Sequence, residues 1–169
     1  MSELMKYFYI EPEVAGGIGS NVATDCSVHP PRVSNLDYEF EIWPHDVLIE
    51  GFPCWIVTIP AMERIRAAKL TGVSFKDVEI SFSEQFRDLH RNRRLPAFVW
   101  LDVSGRPGHD DFGTNKSFTI TGTEKLVDAR RFTLIISERA IEVLKALGIS
   151  HASIHDFTEE RSASVDTNE

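Results

Sequence analysis

The stretch "TIPAMERIRAAKLTGVSFKDV", residues 58 to 78, lies over "SERAIEVLKALGISHASIHDF", residues 137 to 157, without a gap and at an offset of 79 residues. Ala61 meets Ala140, Glu63 meets Glu142, Ala67 meets Ala146, Ser74 meets Ser153 and Asp77 meets Asp156. Many of the other pairs are mild exchanges: Thr58 for Ser137, Met62 for Ile141, Ile65 for Leu144, Arg66 for Lys145, Leu70 for Ile149 and Thr71 for Ser150. Two copies are too few for a solenoid, so the match reads as one supersecondary unit used twice.

Each copy follows the same physical grammar. An apolar run, "CWIVT" or "FTLIIS", reads as a strand and ends on Thr58 or Ser137, whose hydroxyl can accept from the first free N–H groups of a helix. In the second copy Ala140, Ile141, Leu144 and Leu147 recur at helical spacing and form one buried stripe. Copy one keeps the stripe through Met62, Ile65 and Leu70, with Pro60 tolerated in the first turn. Gly148 is expected to end the second helix in the left-handed conformation with Ile149 folding back as in a Schellman cap, and Gly72 to make the exit turn of the first. "GVSFKDVEISF" and "HASIHDF" then read as strands, with Val73, Phe75, Ile80 and Phe82 alternating and Val78 out of phase. A strand–helix–strand crossover makes its two strands parallel and neighbouring if they share a sheet, an antiparallel return being the alternative.

Strand tendencies also mark "KYFYI", "YEFEIW", "SFTITG" and "LPAFVWLDVSG", where Phe98, Trp100 or Leu101, and Val103 alternate. The expected fold class is α+β: a mixed β-sheet with two repeated strand–helix–strand units, 56–80 and 135–157, and short helices packed on the sheet. Residues 1–157 read as a single domain with an internal repeat, and the polar tail 158–169 as disordered.

Hydrophobic residues at 42% and charged ones at 26% place the chain among globular proteins. No apolar run approaches a membrane span, and "MSELMKYFYIEPE" lacks the basic start and apolar middle of a secretory signal, so the cytoplasm is the expected address. The net charge of -8 repels nucleic acid and favours basic partners. Cys26 and Cys54 form neither a disulfide scaffold nor a zinc pattern, and Cys54, inside "GFPCWIVTI", reads as core.

Chemistry-bearing motifs are few. In "YFYIEPEVAGGIGSN", residues 7 to 21, Gly17 and Gly19 supply a G-x-G, but Val22 stands where the third glycine belongs and Pro30 and Pro31 exclude the helix a phosphate needs. The stretch reads as a flexible turn leaving the first strand. Arg87, Arg91, Arg93 and Arg94 in "RDLHRNRRL" read as a solvated helix end and loop, a phosphate site being the sharper alternative. Trp43, Trp55 and Trp100 read as core or interface anchors. His45-Asp46 and His155-Asp156 match the dipeptide of the HD phosphohydrolases, whose all-helical architecture this strand-rich pattern contradicts. The strongest chemical candidate is "GRPGHDDFG", residues 105 to 113, where His109, Asp110 and Asp111 offer a nitrogen and two carboxylates to a metal that would activate water. A tight turn, with aspartates accepting from nearby backbone N–H groups, accounts for the same residue types. No cofactor is expected.

"PCWIVTIPAMERIRAAKLTGVSFKDVEISFSEQF", "LPAFVWLDVSGRPGHDDFG" and "LIISERAIEVLKALGISHASIHDF" resemble predicted immunity proteins of bacterial polymorphic toxin systems, over about residues 50 to 157 and more faintly in "KYFYI". The shared features are structural and carry no catalytic residue. The resemblance implies a cytoplasmic protein that is not an enzyme and that binds and neutralises a cognate toxin with a basic contact surface, without nucleic acid or membrane. Asp102, His109, Asp110 and Asp111 are the expected partner contacts, on a loop expected to be exposed. A small metal-assisted hydrolase around His109, Asp110 and Asp111 is the alternative, and a subunit whose repeat mediates homodimerisation is a third reading.

Overall fold

A computed structural model describes residues 5–20, 23–25, 27, 32–114 and 133–157. Cys26, the "SFTITG" strand and the tail from 158 onward lie outside the described residues. Among the described residues, four sheets and three helices form an α+β fold. One sheet has the order β12–β13–β1–β14, formed by Phe112–Thr114, Leu134–Ser137, Tyr7–Glu11 and Ser153–Asp156. The largest runs β2–β7–β8–β11–β9, that is Glu13–Val14, Leu48–Gly51, Cys54–Thr58, Phe98–Val103 and Val73–Lys76. A third, β10–β6–β3, joins Glu79–Phe82, Asp37–Phe40 and Gly16–Ile18, and a ribbon pairs β4, Ala23–Asp25, with β5, Arg32–Asn35. The helices are α1 (Ile59–Ala67), α2 (Glu84–Leu89) and α3 (Glu138–Leu147).

Both halves of the duplication are strand–helix–strand units. Thr58 Oγ1 accepts from the Ala61 N–H at 3.4 Å and Ser137 Oγ from the Ala140 N–H at 3.2 Å, so each strand end caps its helix as the sequence implied. The flanking strands are parallel but not neighbours. β11 lies antiparallel between β8 and β9, and β1 lies antiparallel between β13 and β14, so each crossover is split by a strand from elsewhere in the chain. The out-of-phase Val78 marks a break: "GVSFKDVEISF" is two strands, β9 joining β11 and β10 running parallel to β6 in a different sheet. At the 79-residue offset β10 falls on residues 158–161, outside the described residues.

The helix ends also differ from expectation. Lys69, aligned with Gly148, takes the left-handed residue of the first copy at φ 53°, with Lys69 N donating to Arg66 O at 3.0 Å and Leu70 N to Ile65 O at 3.2 Å. That bond pair is the Schellman motif, and Leu70 packs into the core behind it. Gly148 has positive φ, 118°, but its ψ of 104° is outside the left-handed helical region, and a single bond to Leu144 O closes α3. A left-handed lysine costs about 1 to 2 kcal/mol, of which glycine's extra unfolded-state freedom takes back part. Lys69→Gly should therefore raise stability by about 0.5 to 1 kcal/mol in a urea titration.

α1 and α3 pack on one another over a single core to which both copies contribute, through Trp55, Val57, Ala61 and Ile65 from the first and Leu134, Ile136, Ala140, Ile141 and Leu144 from the second. β8 is buried at all five positions because both its faces are covered. Trp55 and Val57 point into that core, whereas Cys54 and Ile56 face a second one with Tyr38, Phe40, Phe86, Phe98 and Trp100. The glycine stretch is not a free turn. Gly16 and Gly17 belong to β3 and pair with β6, and a Cβ on Gly16 would land on the Glu39 carbonyl oxygen. No described helix is long and apolar enough to cross a membrane.

The halves are interlocked. The Thr58 N–H donates to Val47 O and the Ser137 N–H to Asp111 O, which places the entries to β7 and β12 in equivalent positions beside the two units. Val47 N then reaches Gly148 O, and Phe112 N reaches Thr71 O, so each entry strand is bonded to the helix exit of the other copy.

Candidate functional site

Asp111 is 3% exposed, against the expectation of an exposed contact loop. Its carboxylate accepts from Ser137 Oγ at 2.6 Å, Arg139 Nε at 2.7 Å, Arg139 Nη2 at 2.6 Å, the Thr71 N–H at 2.8 Å and Thr71 Oγ1 at 3.3 Å. Burial pushes its pKa up, but the bonds from Arg139, Ser137 and Thr71 outweigh it and hold the group down at about 2. Asp111 is thus a buried tie between the two copies. Asp110, partly exposed, closes the turn by accepting the Arg106 N–H at 2.7 Å, which lowers its pKa, as the turn reading of these aspartates required. His109 is exposed, its Nδ1 3.8 Å from Asp110 Oδ1, and Asp102 pairs with Lys76 at 2.8 Å on β11. His109, Asp110 and Asp111 do not converge, because Asp111 turns inward to Arg139 while Asp110 serves its own loop.

The basic stretch after α2 is a helix end and loop. Arg91 reaches Asp88 at 3.4 Å, and Arg93 lies 3.7 Å over the Trp43 ring, which stacks on Phe86. Trp55 and Trp100 are core residues. Cys54 is buried with its thiol pKa pushed up to about 12, too high for a nucleophile.

A different group of residues surrounds a cleft of about 620 Å³ beside β2. Glu11, Glu13 and Glu50 supply carboxylates, and His45 and His151 supply imidazoles. Val14 and Ile42 line it too, 55% and 52% exposed. Glu13 is buried, and its carboxylate accepts the His45 N–H at 2.9 Å, the Asp46 N–H at 2.8 Å and the His45 Nδ1 hydrogen bond at 2.9 Å. Burial raises its pKa and these bonds lower it, leaving it below the usual glutamate value. Asp46, also buried, receives the His151 N–H at 2.9 Å and holds His151 Nδ1 at 3.0 Å. The two imidazoles stack at 4.6 Å between centroids. Glu50 has its pKa raised to about 7 by burial, against the lowering bond from the Trp55 indole.

Asp46 and Asp111 do corresponding work: each sits at the entry to β7 or β12 and ties down the helix exit of the other copy, His151 in one case and Thr71 in the other. No contiguous stretch of the sequence marks this cleft, whose lining comes from separate segments. His45-Asp46 drew notice only as an HD dipeptide, and Glu13 lay inside the glycine stretch. His151 stands where the first copy has Gly72, a departure from the repeat that could have marked it. No protein-family model matches the chain, and no curated protein matches it.

Proposed function

We propose that this chain is an immunity protein that neutralises a cognate bacterial toxin by stoichiometric binding, and that the cleft beside β2 receives a cationic segment of the toxin. The observation that carries this reading is the cleft's composition. The exposed carboxylate of Glu11 stands at the cleft with Glu50 and the exposed side chains of Val14 and Ile42, so acidic and apolar surface occur together where a lysine or arginine would bury its stem and keep its head paired. The net charge of -8 adds long-range attraction to a basic partner. The resemblance to immunity proteins supplies the toxin as the partner. Exposed His109, with part-exposed Asp102 and Asp110, remains in the proposal as a secondary contact surface, whereas Asp111 is fully engaged inside and drops out.

Titrating the purified protein against a toxin domain encoded beside it should give protection that saturates near equimolar amounts. Complete protection at a small catalytic fraction would replace the binder with an enzyme. Because Glu11 is exposed at the cleft, Glu11→Lys should slow association roughly tenfold at low salt while leaving the thermal transition unchanged. An association rate indifferent to both salt and Glu11→Lys would remove the cleft from the interface.

A further inference from the structure

We propose that Glu13, His45 and His151 form a binding site for one divalent transition-metal ion of the zinc class. One ligand atom from each of the three lies within 4.8 Å of the others, and among the described residues no other group of histidine, cysteine and carboxylate side chains meets this condition. The three come from β2, from the loop before β7 and from the turn after α3, which only the interlocked fold brings together.

Three features prepare these residues for an ion. First, the donors are two imidazoles and one carboxylate, a set that suits zinc, copper or nickel and disfavours magnesium or calcium, which take oxygen ligands. Second, the supporting shell is present. Asp46 holds His151 Nδ1 at 3.0 Å and the His151 N–H at 2.9 Å, which fixes the ring and leaves Nε2 as its ligand atom. Glu13 is itself anchored, its carboxylate accepting the N–H groups of both His45 and Asp46. Third, the histidine side chains are 56% and 50% exposed while Glu13 is buried, so the carboxylate is positioned by the fold and the rings have room to close on an ion from the solvent side. Tetrahedral zinc needs ligand atoms roughly 3.3 Å apart, given bonds of about 2.0 to 2.1 Å, a contraction made by the half-exposed His45 ring turning and giving up its Nδ1 hydrogen bond to Glu13 while Asp46 keeps His151 in place. Three protein ligands leave the fourth position open toward the cleft, for water or for a partner's side chain.

The structural alternative is a stacked histidine pair that serves only to hold the β7 entry against the α3 exit. It predicts the same hydrogen bonds and no affinity for metal, so direct binding separates the two. The full chain, free of any polyhistidine tag and stripped with chelator, is titrated with zinc chloride by calorimetry and then, separately, with cobalt(II) chloride while visible absorption is recorded. One equivalent of zinc should bind, and cobalt should give d–d bands of a low-coordinate site. His45→Gln and His151→Gln should each weaken zinc binding at least about tenfold, and Asp46→Asn should weaken it by about 10- to 100-fold through loss of ring positioning. Zinc at about 100-fold excess over its dissociation constant should raise the thermal midpoint of the native chain and not that of a His45→Gln, His151→Gln double variant. Far-UV dichroism and the metal-free midpoints show whether the variants fold; the half-exposed histidines make that the expected result. No binding by the native chain, or one equivalent retained by the folded double variant, overturns the assignment. The toxin plays no part in these measurements, so their failure would leave the proposed stoichiometric binding standing.

Discussion

Asp111→Ala is expected to cost the fold about 2 to 5 kcal/mol in a reversible urea titration, because each buried donor left without its acceptor costs about 1 to 3 kcal/mol. The substitution strips partners from Ser137 Oγ, which is fully buried, and from the Thr71 backbone N–H, and leaves Arg139 without its anion. Arg139→Ala should cost less, because its side chain is 48% exposed and water can replace part of the pair. The effect has a pH signature. The folded pKa of Asp111, about 2, lies below its ordinary value of 3.8, so its stabilisation is fully present above about pH 4 and is lost as pH falls toward 2. The shift corresponds to about 2 kcal/mol, which should appear as a steeper acid slope in the native chain than in Asp111→Ala. A variant within roughly 0.5 kcal/mol of the native chain and of equal acid slope would mean that the Asp111 network does not hold the two copies together.

Leu144→Ala should destabilise by about 2 to 5 kcal/mol. Leu144 is fully buried at the centre of the α3 stripe, in the core that both copies share. Losing three carbons there removes transfer free energy and opens a cavity that two packed helices cannot readily close. Leu147, on the same stripe but half-buried, should lose less than half as much when made alanine. Equal losses at the two positions would mean that helix propensity, not burial, dominates the response.

Local pattern was enough to find each repeated unit. Thr58 and Ser137 cap because a hydroxyl at a strand end meets free N–H groups three residues on, a contact that depends on nothing distant. The Ile65 and Leu144 stripes follow from helical period and the "FVWLDV" strand from its apolar alternation, whereas its burial on two faces, Phe98 and Trp100 in one core and Leu101 and Val103 against the other, came from the sheets packed on either side. Other features depended on the tertiary structure. The strands that split each crossover, β11 and β1, come from opposite directions in the chain, and the entries at Val47 and Asp111 do not keep the 79-residue offset, so no periodicity reports them. The glycine stretch pairs as a strand with β6, and at Gly16 the Glu39 and Phe40 backbone packs where a side chain would have stood, a neighbour decided by the sheet. The aspartates of "HDDFG" illustrate the limit most directly. Asp110 and Asp111 are adjacent and chemically identical, yet one closes its own turn while the other reaches Thr71, 40 residues away, and Arg139, 28 residues away. Sequence specifies which groups can carry charge and accept bonds; which of them leaves water depends on the donors that folding brings within about 3 Å, and only the assembled chain sets those distances.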